Sequence, residues 1–246
     1  MSSLENKIVV VTGASRGIGA QVAIRLGRSG AKVVVNYAGS KDAADEVVRK
    51  IQAGGGEALA VKADVSKAAE VSALFEAAMA RFGRVDILVN NAAIILYKRI
   101  EETTDEEFER LFDINVKGVF YALREASKRL AYGGRIINFS STTTRLMLPT
   151  YASYCASKAA VEQLTRVFAK EIGSRGITVN VVSPGPTNTD LFIEGKSEAD
   201  IKRMASMAAL DRIGEPDDIA DLVAFLASDE AGWISAQNIG ANGGLA

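Results

Sequence analysis

The chain has 246 residues, a formal net charge of −1 and 48% hydrophobic residues. That length suits one large α/β domain or two small ones, and near-neutrality gives no ground for a nucleic-acid partner or a membrane surface. The sequence contains no histidine and one cysteine, Cys155, which removes Ser-His-Asp catalysis, His-based zinc sites and an internal disulfide framework.

The start, Met1 to Lys7, carries no apolar signal core, and no apolar run reaches transmembrane length. A reducing cytoplasm is the expected compartment. Lys7 to Thr12 is a short β-branched run that predicts a buried parallel strand. It leads into Gly13-Ala14-Ser15-Arg16-Gly17-Ile18-Gly19 and then a helical pattern to about Ser29. Glycines let a backbone approach a pyrophosphate closely, and the helix N-terminus that follows favours anions. The spacing G-x-x-x-G-x-G differs from the G-x-G-x-x-G of the common dinucleotide fingerprint, so a plain glycine-rich turn is the competing reading.

Ala31 to Asn36 predicts the second strand. Many NAD-binding folds place a carboxylate at its end for the adenosine ribose; here the end is Asn36-Tyr37, with Ser40 just beyond. A missing acid with Arg16 in the glycine loop favours a 2′-phosphate, hence NADP(H); otherwise Arg16 is a solvated surface side chain. Lys41 to Ala53 predicts a helix stopped by Gly54-Gly55-Gly56. Ala58 to Lys62 is a third strand, followed by Asp64-Val65. Asp64 has two readings, an acceptor for an adenine amine or a cap for a helix near Ser66.

Val85 to Val89 predicts a fourth strand, delivering Asn90-Asn91-Ala92-Ala93 to the sheet edge. Thr103 or Thr104 caps a long helix through Asn115, whose poor helix propensity asks for a reason. Gly134 to Phe139 is strand five and carries Ser140-Ser141. A helix follows to about Ser174. It places Tyr154 and Lys158 four residues apart on one face. An ammonium beside a phenol is expected to pull the phenol from about 10 toward neutrality. Ile177 to Val182 is strand six, ending in Ser183-Pro184-Gly185-Pro186-Thr187-Asn188-Thr189. Glu194 to Leu210 reads as a mobile flap, giving a lid over about residues 187–210. Pro216 starts a further helix, and Ile234 to Ile239 predicts a last strand. With no linker or repeat, the alternation predicts a single doubly wound Rossmann domain over residues 1–246. Its parallel sheet has about seven strands, with helices on both faces.

Taken together, Thr12-Gly13-x-x-x-Gly17-x-Gly19, Asp64, Asn90-Asn91-Ala92, Asn115, Ser141, Tyr154-x-x-x-Lys158, and Pro184-Gly185 with Thr189 resemble the short-chain dehydrogenase/reductase family along nearly the whole chain. The resemblance implies Tyr154 as catalytic acid, Lys158 as its modulator and a ribose contact, and Ser141 as a partner of the substrate oxygen. It implies that Asn115 holds a water linking Lys158 to solvent. Gly13, Gly17 and Gly19, with Ser15, Arg16 and Ile18 between them, would form the pyrophosphate turn. Asp64 and Val65 would lie at the adenine, Asn90 near the adenine ribose, and Thr189 at the carboxamide end or the phosphates, with Asn91, Ala92, Pro184, Gly185 and Thr187 as further cofactor contacts. Asn36, Tyr37 and Ser40 complete the expected NADP(H) contacts.

The implied activity is hydride transfer between NADP(H) and a ketone or secondary alcohol, with no metal. Alternatives are a 3-oxoacyl-acyl-carrier-protein reductase, an NAD-dependent alcohol dehydrogenase and a non-enzymatic dinucleotide-binding regulator. For the carrier protein, Arg175 matches one of two expected basic positions while Tyr132 stands at the other. Two departures from the family pattern stand out: Ala93 replaces a usual glycine, and Ser235-Ala236-Gln237 replaces a more usual Asn-Gly-Gln. The expected pocket residues are Ile94, Ile95, Thr143, Met147, Leu148, Tyr151, Leu191, Phe192, Met204 and Met207, a largely apolar set suited to a hydrophobic carbonyl substrate. By analogy the protein would be a homotetramer.

Overall fold

The computed structural model describes residues 4–246; Met1 to Ser3, part of the start read above as lacking a signal core, lie outside the described residues. The strands are β1 (Ile8–Val11), β2 (Lys32–Tyr37), β3 (Glu57–Lys62), β4 (Val85–Asn90), β5 (Leu130–Phe139), β6 (Thr178–Pro184) and β7 (Asn238–Ala241). They form one seven-stranded sheet in the order β3-β2-β1-β4-β5-β6-β7, with every pairing parallel. The helices are α1 (Gly17–Arg28), α2 (Lys41–Ala53), α3 (Ala68–Phe82), α4 (Asp105–Phe112), α5 (Gly118–Arg129), α6 (Ala152–Ile172), α7 (Asp190–Ile193), α8 (Glu198–Ser206) and α9 (Pro216–Ala227). This is the doubly wound sheet expected from the sequence.

Alternation along each strand sends neighbouring side chains to opposite faces. Val9 and Val11 of β1 join a core with α1, α2 and α9, whereas Val10 joins one with α3, α5 and α6. Both faces being covered explains why β1 is four consecutive buried aliphatic residues rather than an alternating pattern. Each such side chain contributes about 1.5–3 kcal/mol on burial.

The strand order reverses direction between β1 and β4. At such a switch point the loops leaving the two carboxyl ends diverge and open a crevice. Gly13 after β1 and Asn91 after β4 stand on its two sides.

Several boundaries differ from expectation for local reasons. The last strand begins at Asn238, not Ile234, because Ala236 sits at φ +62° and breaks the extended run. The helix expected through Asn115 is interrupted by a π-turn over Asp113–Lys117. Thr104, rather than Thr103, caps α4, accepting from the Glu107 amide while Glu107 reaches back to the Thr104 amide. The expected flap is a folded excursion carrying α7 and α8. Its base is closed by backbone bonds from Gly214 N to Pro186 O (2.8 Å) and Asn188 N to Gly214 O (2.8 Å).

Candidate active site

Two adjoining pockets run along the carboxyl edge of the sheet. One is a polar crevice lined by Gly13, Ser15, Arg16, Gly17, Ile18, Gly19, Asn36, Tyr37, Ser40, Asp64, Val65, Asn91, Ala92 and Thr189. The other is an apolar pocket holding Ser141, Tyr154, Lys158, Pro184, Gly185 and Thr187. Ile18, Asn91, Ala93, Thr189 and Leu191 line both and join them. Apart from Asn90, every expected cofactor residue lines one of these two pockets.

The crevice floor fits a dinucleotide. Gly13 and Gly17 adopt φ +61° and +57°, backbone that other residues rarely take. A Cβ at Gly19 would stand 2.3 Å from Asn91 Nδ2 and 2.4 Å from Gly13 O, so the turn and the β4 loop touch only because it is glycine. Asn91 Nδ2 donates to Thr12 O (3.0 Å) and Gly13 O (2.9 Å), tying the loops together. No side chain caps α1, which leaves the amides of its first turn facing the crevice.

Asn36 and Asn90 depart from expectation. Asn36 lines the crevice, but its side chain is spent on the protein. It accepts from Gly13 N (3.1 Å) and donates to Ala63 O (3.0 Å) and Val61 O (3.3 Å). It braces the glycine turn rather than presenting itself to a phosphate. Asn90 points away from the crevice, because the register sets it opposite Asn138. Its amide donates to Asn138 Oδ1 (2.8 Å), and Asn138 donates to Thr165 Oγ1 (2.8 Å) inside the core. Arg16 is exposed and has no side-chain partner among the described residues. Asp64 accepts from the amide (3.0 Å) and hydroxyl (2.7 Å) of Ser66, so the local turn takes one of its oxygens. The helix itself starts later, at Ala68 with Lys67 before it.

At the junction stand Tyr154, Ser141 and Lys158. The α6 positions Tyr154, Ser157, Lys158 and Val161 recur at helical spacing and are buried, which fixes Tyr154 and Lys158 against the end of β5. Lys158 Nζ donates to Phe139 O (3.0 Å) and lies 5.8 Å from the Tyr154 ring centroid. Burial pushes the Tyr154 phenol up to about 12, with a hydrogen bond to Ser141 pulling the other way. Burial alone brings the Lys158 ammonium down to about 8. The expected phenol near neutrality is therefore not found in the protein's own field. Desolvation favours the neutral form of both groups. The consequence is a Tyr154 that holds its proton at neutral pH.

Ser141 Oγ accepts from Thr143 N (3.3 Å) and Thr143 Oγ1 (2.9 Å). With those acceptor directions used, the serine's own proton is free to point toward Tyr154 or a substrate oxygen. The turn carrying Ser141 is fastened to α6 by Glu162, whose Oε1 accepts from Ser140 Oγ (2.7 Å) and Thr144 Oγ1 (2.8 Å). Glu162 was not singled out from sequence; its place one turn beyond Lys158 was the available signal.

Asn115 is fully buried. Its Oδ1 accepts from Ile94 N (2.9 Å), and its Nδ2 donates to Ile94 O (2.9 Å) and Ser157 Oγ (3.1 Å). Both amide hydrogens are thus taken by protein, so the side chain braces the β4 loop against α6. The π-turn is what brings it there, as such bulges often do at functional sites.

The apolar pocket contains the expected Ile95, Thr143, Leu148, Tyr151, Leu191, Phe192, Met204 and Met207. Ile94 faces the crevice instead. Met147 is fully exposed and lines neither pocket, since it sits on the outer side of its loop. Tyr97, Leu146, Pro186 and Leu245 line the pocket without having been foreseen. Cys155 donates to Thr143 O (3.2 Å). Arg175 donates to Ser127 O (2.6 Å) and Leu130 O and stacks on Tyr132 (5.2 Å to the centroid). Its guanidinium closes the end of α5.

This fold and this constellation define a dinucleotide-dependent oxidoreductase of the doubly wound class, and comparison with known proteins agrees. A family model described as enoyl-(acyl carrier protein) reductase matches residues 13–246. An uncharacterized oxidoreductase of Methylorubrum extorquens is 49% identical over 247 residues, covering all of both chains. A short-chain type dehydrogenase/reductase of Picea abies is 44% identical over 98% of this chain and 93% of its own. Among solved structures, the angucycline C-6 ketoreductase LanV with bound NADP is 41% identical with a TM-score of 0.94, over 99% of this chain and 97% of that one. The chain belongs to the short-chain dehydrogenase/reductase family.

Proposed function

We propose that the protein is an NADPH-dependent carbonyl reductase acting on a hydrophobic ketone. The observation that carries this is the meeting of Ser141, Tyr154 and Lys158 where the polar crevice opens into the apolar pocket. Bound nicotinamide supplies the hydride. Ser141 donates a hydrogen bond to the substrate oxygen, and Tyr154 delivers a proton to that oxygen as charge develops on it. Tyr154 is protonated at neutral pH, as a donor must be, but burial also makes it a weaker acid, so stabilisation of the phenolate by Lys158 is what would let it give up the proton. Lys158, anchored on Phe139 O, would hold the ribose hydroxyls and stabilise the phenolate once the proton has left. In the crevice, Gly13, Gly17 and the amides of α1 would hold the pyrophosphate.

Preference for NADP(H) is supported by the unpaired Arg16, by Ser40 and by the absence of a carboxylate at the end of β2. The NADP bound to LanV points the same way. An acyl-carrier substrate receives less support, because Arg175 is committed to α5. The reading includes residues 187–210 as a lid, residues 1–246 acting as one domain, and a cytoplasmic homotetramer. Exposed Phe120 and Val167 on α5 and α6 suit an interface, which light scattering would check. No helix among the described residues is long and apolar enough to cross a membrane.

The deciding experiment measures oxidation of NADPH and NADH with a panel of ketones, an oxoacyl thioester and an enoyl thioester. The expected result is ketone reduction with NADPH favoured at least tenfold. A strong NADH preference would contradict the cofactor assignment, and turnover confined to the enoyl thioester would contradict the carbonyl assignment.

A further inference from the structure

Part of the apolar pocket is aromatic. Tyr97, Tyr151 and Phe192 line it, beside aliphatic Ile95, Leu148 and Leu191. The tyrosines run in series from the reacting centre. Tyr151 meets Tyr154 edge-on at 6.4 Å between centroids, and Tyr97 meets Tyr151 edge-on at 5.1 Å. The loops bearing them are joined by Lys98 N donating to Thr150 O (3.0 Å). Thr150 itself sits at φ +71°, a strained conformation held immediately before Tyr151.

Tyr97 is fixed from the lid side as well. Lys196 lies between α7 and α8, and its Nζ donates to Phe192 O (2.6 Å) and Tyr97 Oη (3.2 Å). The same ammonium lies 4.8 Å from the Tyr97 ring centroid and 4.6 Å from that of Phe192. Tyr97 is nevertheless 40% exposed. With its hydroxyl committed, what it offers to the pocket is ring surface.

We infer that Tyr97, held by Lys196, is a specificity-determining residue, and that the site selects ketones whose carbonyl is attached to a planar aromatic ring. This rests on the carbonyl-reductase reading. With the carbonyl oxygen at Ser141 and Tyr154, the adjoining substituent enters the space bounded by Tyr151 and then Tyr97. A saturated ring of the same size gains only burial there. An aromatic ring also gains edge or offset contacts with two pre-oriented rings, which corresponds to about tenfold in binding. Rings held in place in advance lose little freedom when substrate arrives, so the gain is expressed rather than cancelled.

The test compares acetophenone with cyclohexyl methyl ketone, which differ only in ring saturation. The readout is their ratio of kcat/KM with NADPH, in the parent and three variants, so that intrinsic reactivity cancels between proteins. Saturation-transfer NMR measures binding of both ketones to the NADP⁺-loaded protein. Tyr97→Leu is expected to lower the acetophenone-to-cyclohexyl ratio about tenfold and to weaken acetophenone binding. Tyr97→Phe keeps the ring and should hold the ratio within about threefold of the parent. Lys196→Met should lower it about threefold, through KM more than kcat.

Turnover of both ketones with one ratio in parent and Tyr97→Leu overturns the inference and leaves the carbonyl-reductase reading standing. So does a Tyr97→Phe variant as impaired as Tyr97→Leu, since the hydroxyl would then be the determinant. Acetophenone binding that depends on the Tyr97 ring, without turnover in the parent, supports the aromatic wall and contradicts the carbonyl-reductase reading. Absence of binding and turnover together overturns the wall.

Discussion

The floor of the site and its rim are built differently. On the floor, polar side chains are buried and spent on backbone. Asn36 holds the glycine turn, Asn91 joins it to the β4 loop, and Asn115 fastens Ile94 to α6. Around the rim, Leu191, Met207 and Leu210 are about half exposed or more, on short helices and turns. The main fastening there is one lysine over two rings. A floor of this kind fixes where a proton and an oxygen meet. A rim of this kind leaves room for the substrate to differ without disturbing the chemistry.

Changes on the floor should therefore act on kcat, and changes on the rim on discrimination. The largest effect among the supporting groups is expected at Ser141. Ser141→Ala removes a donor aimed at the developing oxyanion and should lower kcat about 10²–10³-fold, measured by steady-state kinetics with little change in dinucleotide KM. Glu162→Ala strands the Ser140 and Thr144 hydroxyls and loosens the turn bearing Ser141. A fall in kcat of about tenfold is expected, at a stability cost of about 1–3 kcal/mol. Glu162→Gln retains an acceptor and should restore most of the rate. Equal impairment in the two variants would mean that the carboxylate charge, not its acceptor role, matters.

Away from the site, Ala236 at φ +62° carries strain a glycine would not. Ala236→Gly should stabilise the fold by about 1 kcal/mol without altering kinetics, as read by thermal melting. A further expected effect is a pH dependence. Lys158 has its folded pKa depressed to about 8 from 10.5. Between those values the unfolded chain binds more protons than the folded one, so Lys158 makes stability rise with pH. Tyr154, raised to about 12 from 10.0, contributes stability that is complete below pH 10 and lost as pH climbs toward 12. Melting curves from pH 8 to 10 should show the parent gaining on Lys158→Met; a constant difference would contradict the burial account of Lys158.

Much of the floor could be read in the residues. The glycine turn, the Tyr154–Lys158 pair and the strand ends announce themselves through spacing and position. The bounds of α2 and the start of α9 follow from the Gly54-Gly55-Gly56 stop and from Pro216, both local signals. The direction in which a side chain is spent could not be read. Asn36 and Asn90 are polar residues at strand ends like Asn91, and only the sheet register and the neighbouring carbonyls decide that they turn inward. The competition between burial and charge at Tyr154 is likewise tertiary, since it depends on how completely the pocket walls close around the phenol. Tyr97 and Lys196 are 99 residues apart in sequence, and no periodicity links them. Met147 shows the converse: an apolar residue beside the active-site loop that faces outward.

The central claim is that Tyr154 donates the proton to a carbonyl oxygen. It is tested most directly by Tyr154→Phe, assayed for NADPH-dependent ketone reduction alongside NADPH binding by fluorescence titration. The expected result is a rate about 10³-fold or more below the parent, with NADPH affinity preserved because the crevice contacts remain. A variant that binds NADPH and reduces the ketone within tenfold of the parent rate would contradict the account.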